Sequence, residues 1–86
     1  MTEPGASNDG TGRLAENIMH FGRVLRAAGL PVGPGTVIAA VDAVKAVGVR
    51  NRADFYWALH AVFVNRRSQR DIFDQAFHIF WRNPQI

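Results

Sequence analysis

The stretch that decides the fold reads Leu25-Arg26-Ala27-Ala28-Gly29-Leu30-Pro31-Val32-Gly33-Pro34-Gly35. A helix that enters it should end at Gly29, because glycine readily adopts the left-handed conformation that closes a helix. The two prolines that follow prevent this helix from continuing. Pro34 suits the first turn of a second helix, where a missing backbone N–H is tolerated. The stretch therefore predicts two helices joined by a short turn.

Apolar residues upstream of this turn recur with the period of an α-helix. They stand at Leu14, Ile18, Phe21, Leu25 and Ala28. This spacing places them along one helical face, which should pack against the protein core. We predict a first helix over residues 13–28, with its charged residues facing water.

The residues downstream of the turn predict a second helix over residues 34–47. Its apolar stripe stands at Val37, Val41 and Val44, flanked by Ile38, Ala40 and Val47. Gly48 should close this helix as a C-terminal cap. Valine carries a modest helix penalty that packing often overrides, so its abundance does not argue for a strand.

Two further helices are predicted over residues 52–64 and 69–82. Asn51 is a good N-cap for the third helix, and Ser68 with Asp71 has the capping-box spacing before the fourth. The residues expected to face the core are Phe55, Leu59, Val62, Phe63, Ile72, Phe73, Ala76, Phe77 and Phe80, with Tyr56, Trp57 and Trp81 beside them. No stretch alternates with the two-residue period of a strand.

Length and composition agree with this architecture. The 86 residues allow one compact core. We predict an all-α fold, a small bundle of four helices that forms a single domain over residues 13–83. Residues 1–12 contain three glycines, a proline and small polar residues, a composition typical of a flexible, disordered tail.

Targeting and membrane segments are not evident in the sequence. The first residues lack the basic start and the apolar stretch of a secretory signal. The longest apolar run falls short of the roughly 20 residues that cross a bilayer. We therefore expect a soluble, cytoplasmic protein.

The residue types that carry catalysis are present, but not in catalytic arrangements. The chain has no cysteine, which excludes a disulfide framework, a cysteine-based zinc site and a thiol nucleophile. No two of the three histidines have the spacing of a metal-binding pair on one helix. Asp71 and Asp74 share a helix face, but Arg67 and Arg70 are close enough to neutralise them. We predict a protein that is not an enzyme and holds neither cofactor nor metal.

The aromatic residues concentrate in the last two predicted helices, which hold eight of the nine. Phe55, Tyr56 and Trp57 are consecutive, so they cannot all face one core, and the same holds for Phe80 and Trp81. At least one aromatic residue in each helix should therefore point outward, and exposed aromatic residues often anchor interfaces. Tyr56, Trp57 and Trp81 are our candidate partner-binding aromatic residues.

The net charge of +3 belongs entirely to the second half of the chain. Residues 1–49 carry four basic and four acidic groups, whereas residues 50–86 carry six arginines against three aspartates. The arginines expected near the ends of the last two helices are Arg50, Arg52, Arg66, Arg67 and Arg70. They form either an ordinary solvated surface or a patch that faces an acidic protein or a nucleic acid. We favour a protein partner, because nucleic-acid-binding domains usually carry a larger net charge.

Three segments of the chain resemble a known family. They are the turn at residues 25–35, then Arg52-Ala53-Asp54-Phe55-Tyr56-Trp57-Ala58-Leu59, then Phe73-Asp74-Gln75-Ala76-Phe77 with Phe80-Trp81-Arg82. In this order and spacing they resemble the N-terminal helical region of CoxE-like proteins, which carry a von Willebrand factor A domain. The resemblance covers about residues 14–84.

The resemblance implies a context for this helical region. In the family it precedes the von Willebrand A domain, so residues 84–86 would begin a linker to a missing C-terminal domain. That domain holds a metal site with an Asp-x-Ser-x-Ser motif, which this sequence lacks. CoxE-like proteins are similar to partners of MoxR-type AAA+ ATPases and are implicated in maturing metalloenzymes such as carbon monoxide dehydrogenase. The resemblance thus implies a chaperone-like interaction domain that contacts the ATPase, a client enzyme or its own A domain.

Overall fold

The computed structural model describes residues 13–82, which form an all-helical fold. The helices are α1 (Arg13–Ala27), α2 (Pro34–Val47), α3 (Arg52–Phe63) and α4 (Arg70–Phe80), and a 3-10 turn at Arg67–Gln69 precedes α4. The prediction of an all-α bundle of four helices is confirmed, and no strand occurs within the described range. The predicted tail at residues 1–12 and the predicted linker at residues 84–86 lie outside it.

The predicted helix limits agree with the observed ones to within two residues. α2 has the predicted limits, and α1 and α3 each end one residue early. α4 begins one residue late, because the 3-10 turn occupies its predicted start, and it ends before Trp81, which is its C-cap.

The turn after α1 has the hydrogen bonds of a Schellman motif. The Leu30 N–H donates to the Leu25 carbonyl at 3.0 Å, and the Gly29 N–H donates to the Arg26 carbonyl at 3.0 Å. Gly29 has a positive φ of 114°, as predicted for a glycine cap. The side chain of Leu30 is buried in the core, so the turn is fixed by packing as well as by hydrogen bonds.

Replacing glycine with alanine should have opposite effects on the free energy of unfolding at two positions, one in this turn and one just after it. Gly29→Ala should lower the free energy of unfolding by about 1–2 kcal/mol, because a Cβ disfavours the left-handed region. Gly35→Ala is the matched control: it lies in the first turn of α2 with open space around it. It should raise the free energy of unfolding by about 0.5–1 kcal/mol. Urea denaturation followed by circular dichroism measures both, and equal effects would contradict this account of the turn.

The predicted N-terminal caps are confirmed at two helices and wrong at the third. Pro34 opens α2, and Asn51 Oδ1 accepts hydrogen bonds from the N–H groups of Ala53 at 2.8 Å and Asp54 at 3.1 Å.

Ser68 does not cap α4, because it lies inside the 3-10 turn. Gln69 instead stabilises the connection between α3 and α4. Its Oε1 accepts from the N–H groups of Asn65 at 2.8 Å and Arg66 at 3.1 Å. The predicted capping box of Ser68 with Asp71 is therefore replaced by a glutamine that closes the preceding loop.

The helices pack in a ring around one aromatic core. α1 contacts α2 and α4, α2 contacts α3, and α3 contacts α4. Phe21 of α1 lies at the centre, with its ring centroid 5.7 Å from those of Phe63, Phe73 and Trp81. The buried core comprises Ile18, Phe21, Leu25, Leu30, Ala40, Val44, Phe55, Leu59, Phe63, Phe73, Phe77 and Trp81.

Most predicted core positions are confirmed as buried or partly buried, and the exceptions lie at helix ends and on α2. Ala28 is exposed, because α1 ends at Ala27 and the chain then turns. Ile38 and Val47 of α2 are also exposed, whereas Ala40 and Val44 are fully buried. The buried stripe of α2 is thus rotated relative to the predicted one, since Val37 and Val41 are only partly buried.

None of the helices in residues 13–82 combines the length and the apolar character that a membrane crossing requires.

Candidate partner-binding surface

The two tryptophans have opposite environments. Trp57 of α3 is 59 % exposed, as expected for an aromatic residue that points outward, and Tyr56 beside it is half-buried. Trp81 is only 2 % exposed and belongs to the core. The expectation that Trp81 is an outward-facing anchor is therefore wrong: packing against Phe21 and Phe55 buries it. In α4 the exposed large side chain is Ile79.

Trp57 is exposed but held in place by two neighbouring rings. The Tyr56 ring centroid lies 4.8 Å from that of Trp57 at an interplanar angle of 83°. The His60 ring lies 5.0 Å from Trp57 and 5.6 Å from Tyr56. We call Tyr56, Trp57 and His60 the aromatic platform. The Tyr56–Trp57 contact is edge-to-face and those of His60 are tilted. Close contacts between rings are favourable, so they orient the indole at the surface.

The platform is anchored to α4 through a partly buried hydrogen bond and through ring packing. The Tyr56 hydroxyl donates a hydrogen bond to Asp74 Oδ1. The Tyr56 and His60 rings also pack against Phe73, with centroids 5.5 Å and 5.3 Å away. Because Phe73 is fully buried, the platform rests directly on the core.

The fold clearly affects the protonation of Tyr56. Burial of the phenol, its hydrogen bond to Asp74 and the charge of that carboxylate raise the pKa of Tyr56 to about 12, and the charge of Arg70 opposes them. Each of the raising causes favours the neutral phenol over the phenolate. At neutral pH the hydroxyl therefore stays protonated and donates to Asp74.

The candidate arginines do not form one patch. Arg50 and Arg52 lie at the start of α3, whereas the other three lie at the opposite end of that helix: Arg66, Arg67 and Arg70. The twelve residues of α3 separate the two groups by about 18 Å. Of the two alternatives that the sequence left open, one patch made of all five arginines does not fit the structure, because the length of α3 divides them into two groups.

Arg52 also has an internal role. Its Nη2 donates to the Trp81 carbonyl oxygen at 2.9 Å, and its guanidinium carbon lies 5.1 Å above the Phe77 ring. The acceptor is one of the backbone carbonyls at the end of α4 that have no partner within the helix. Arg52 thus ties the start of α3 to the end of α4. Its side chain remains exposed, as are those of Arg50, Arg66, Arg67 and Arg70.

A comparison with protein families places the chain. The family described as the CoxE N-terminal helical bundle domain matches residues 18–84. The chain belongs to this family. No match was found among curated proteins or among solved structures. The CoxE-like resemblance that the sequence motifs carry is confirmed, and it extends over all four helices of the bundle.

In this CoxE N-terminal domain, two residues of the surface escaped sequence reasoning. Asp74 carries no local signal of this role, because its hydrogen-bond partner Tyr56 lies 18 positions away in the sequence. The three-residue spacing from Trp57 to His60 does place the two rings on one helix face. Within residues 13–82 the domain has no cluster of His, Cys, Asp or Glu that could hold a metal ion.

The titration of Tyr56 tests the anchoring of the platform in this CoxE N-terminal domain. The chain has a single tyrosine, so tyrosinate absorbance reports on this residue alone. We expect a midpoint near pH 12 in the folded chain and near 10 in urea. Because folding raises this pKa, the stabilisation is complete below pH 10 and is lost as the pH rises from 10 towards 12.

The control for this titration is Asp74→Asn, which removes the carboxylate charge. It should lower the Tyr56 pKa, while circular dichroism at the same pH confirms that the chain remains helical. A midpoint near 10 in the folded wild-type chain would show that the hydroxyl is not held by Asp74.

Proposed function

We propose that this domain is a non-catalytic protein-interaction module of a CoxE-like adaptor that works with a MoxR-type AAA+ ATPase in metalloenzyme maturation. The observation that carries the proposal is the exposed Trp57, held by Tyr56 and His60. Membership of the CoxE N-terminal family supports the adaptor context, since CoxE-like proteins resemble ATPase partners. In this proposal a von Willebrand A domain follows the bundle, and the adaptor acts in the cytoplasm.

The aromatic platform suits docking because it is both exposed and ordered. Tryptophan is among the residues that most often dominate binding energy at interfaces. A side chain that is already held in one orientation loses less conformational entropy when it binds. The contacts of Trp57 with Tyr56 and His60, at 4.8 Å and 5.0 Å, provide this order before a partner arrives.

The arginines at the α3–α4 connection suit an acidic surface beside the anchor. Arg66, Arg67 and Arg70 are exposed, and Arg70 acts electrostatically on Tyr56 of the platform. Charges at the rim of an interface mainly steer association and select the partner. We therefore assign Trp57 the role of anchor and these three arginines the role of steering an acidic partner.

Binding rather than catalysis fits the chemistry of the surface. A phenol with a pKa of about 12 is a poor proton donor or acceptor near neutral pH, where a general acid or base works best. Its hydroxyl is already engaged by Asp74. The polar groups of the surface thus serve to position the platform.

The test of the proposed function is a direct binding measurement. The chain is titrated by calorimetry against a MoxR-type ATPase and, separately, against the von Willebrand A domain of a CoxE-like protein. We expect a saturable complex with one of them. A duplex oligonucleotide is titrated in parallel at low salt. Binding to the duplex alone, with a steep salt dependence, would support the alternative of a nucleic-acid-binding module and contradict the proposal.

A further inference from the structure

A groove lies between α1 and the start of α2, on the side of the bundle away from the aromatic platform. Its volume is about 350 Å³, and Met19, Gly22, Val37 and Ile38 are among its lining residues. The helices follow one another in a ring, so the groove between α1 and α2 lies across the bundle from the α3–α4 pair that carries Trp57. We call it the α1–α2 groove.

Gly22, which has no side chain, lies in the floor of the groove beside the apolar side chains of Val32 and Val37. Gly22 is buried, and a Cβ added there would lie 3.2 Å from Val37 Cγ2 and 3.4 Å from Val32 Cγ1. The backbone of α1 therefore approaches the turn and α2 closely. Met19 and Ile38 rise beside this floor, and Ile38 is 63 % exposed. A groove with an apolar floor is the kind of surface into which an amphipathic helix lays its apolar face.

Two arginines give the groove a positive rim. Arg23 and Arg26 line it, both are exposed, and their spacing of three places them on one face of α1. Met19 and Arg26 lie two helical turns apart, about 10 Å along the axis. This length matches the i, i+3 or i+4, and i+7 anchors with which a bound amphipathic helix contacts a groove.

We propose that the α1–α2 groove binds an acidic amphipathic segment of a protein partner. The apolar residues of the segment would pack on Gly22, Val37 and Ile38, and its carboxylates would pair with Arg23 and Arg26. A second copy of this chain fits less well, because a symmetric contact would bring the arginines of both copies together. A phosphate backbone would leave the apolar floor uncovered.

The proposal is independent of the function assigned to the aromatic platform. It rests on residues of α1 and α2, and it stands even where Trp57 binds nothing. Where both surfaces are active, the domain connects two partners on opposite sides of one bundle.

The test uses the full chain and a defined probe. The probe is a fluorescent peptide of about 14 residues, close to the shortest length of an isolated helix, with leucines along one face and glutamates beside them. A second peptide carries lysines in place of the glutamates. Fluorescence anisotropy should show saturable binding of the acidic peptide and at least about tenfold weaker binding of the basic one. A tenfold difference in affinity corresponds to about 1.4 kcal/mol.

Matched variants locate the binding site. Ile38→Asp should weaken binding of the acidic peptide by more than about tenfold, as for an interface hot spot. Ile79→Asp is the control, since Ile79 is 68 % exposed on α4 and should bind like wild type. The double variant Arg23→Glu with Arg26→Glu should reverse the preference between the two peptides. Circular dichroism confirms that each variant remains helical.

Three results would overturn the proposal. One is that the wild-type chain binds both peptides equally well or binds neither of them. Another is a concentration-dependent dimer in sedimentation that Ile38→Asp dissociates, which would assign the groove to a second copy. The last is a gain of about tenfold in peptide affinity when residues 1–12 are deleted, which would assign the groove to the chain's own N-terminal segment.

Discussion

Replacing Phe21 with alanine should lower the free energy of unfolding by about 3–5 kcal/mol, the range for large aromatic side chains in protein cores. Phe21 is fully buried and is the point at which α1 meets the α3–α4 pair. Its ring packs on Phe63 of α3 and on Phe73 and Phe77 of α4, with centroids between 5.7 and 6.3 Å away. The substitution would remove all of these contacts and leave a cavity.

This loss is large relative to the total free energy of unfolding expected for a chain of this length. Domains typically have a free energy of unfolding of about 5–15 kcal/mol, and small ones bury a smaller share of their surface. No disulfide compensates, since the chain has no cysteine. We therefore expect Phe21→Ala to lower the melting temperature by more than about 10 °C, since each 1 kcal/mol shifts it by about 4–8 °C in a domain of this size.

Urea denaturation followed by circular dichroism measures this loss. The matched control is Val24→Ala on the same helix, where the side chain is 41 % exposed and the change should stay within about 1 kcal/mol. If the two substitutions had equal effects, Phe21 would not be the centre of the core.

Replacing Trp57 with alanine should have the largest effect on binding. We expect the affinity for the partner to fall by at least about 30-fold, which corresponds to the roughly 2 kcal/mol that defines a hot spot. The free energy of unfolding should fall by only about 1–3 kcal/mol, because the exposed residue contributes one ring contact with Tyr56 and one with His60, each worth about 0.5–1.5 kcal/mol. The two readings together separate a binding role from a structural one.

Calorimetric titration of the variant against the MoxR-type ATPase and the von Willebrand A domain checks this prediction. Trp57→Phe should retain part of the affinity, because phenylalanine keeps an aromatic surface at the same place. Ile79→Ala is the exposed control on α4 and should bind like wild type. Unchanged affinity in Trp57→Ala would place the binding site elsewhere on the domain.

Local sequence signals predicted the helices because their causes are local. Gly29 and Pro34 act through their own backbone conformations, and Asn51 caps α3 through N–H groups two and three residues away. The apolar period of α1 likewise depends on neighbouring residues. The capping prediction was wrong at the α3–α4 connection, where Ser68 lies inside a 3-10 turn and the Gln69 side chain accepts from the N–H groups of Asn65 and Arg66.

The candidate surface was only partly predictable, because its contacts join separate helices. Sequence spacing shows that Phe55, Tyr56 and Trp57 point in different directions, and Trp57 is indeed exposed. The same reasoning chose Trp81 rather than Phe80 as the outward-facing residue and was wrong, since Trp81 is buried by packing against Phe21 of α1 and Phe55 of α3. The pairing of Tyr56 with Asp74 likewise requires the antiparallel packing of α3 and α4.

The arginines show the difference between a charge count and a surface. The excess of arginine in the second half of the chain is a property of the sequence. Its division into two groups follows from the length of α3, and the use of Arg52 at the end of α4 follows from tertiary packing.

The proposal that Trp57 anchors a protein partner can be tested through the indole N–H signals in a nuclear magnetic resonance titration. The chain has two tryptophans, so a labelled sample gives two indole signals, and Trp57→Ala identifies which belongs to the platform. On addition of the MoxR-type ATPase or the von Willebrand A domain, we predict that the Trp57 signal shifts or broadens while that of the buried Trp81 stays in place. A complex that forms with the Trp57 signal unchanged would contradict the claim.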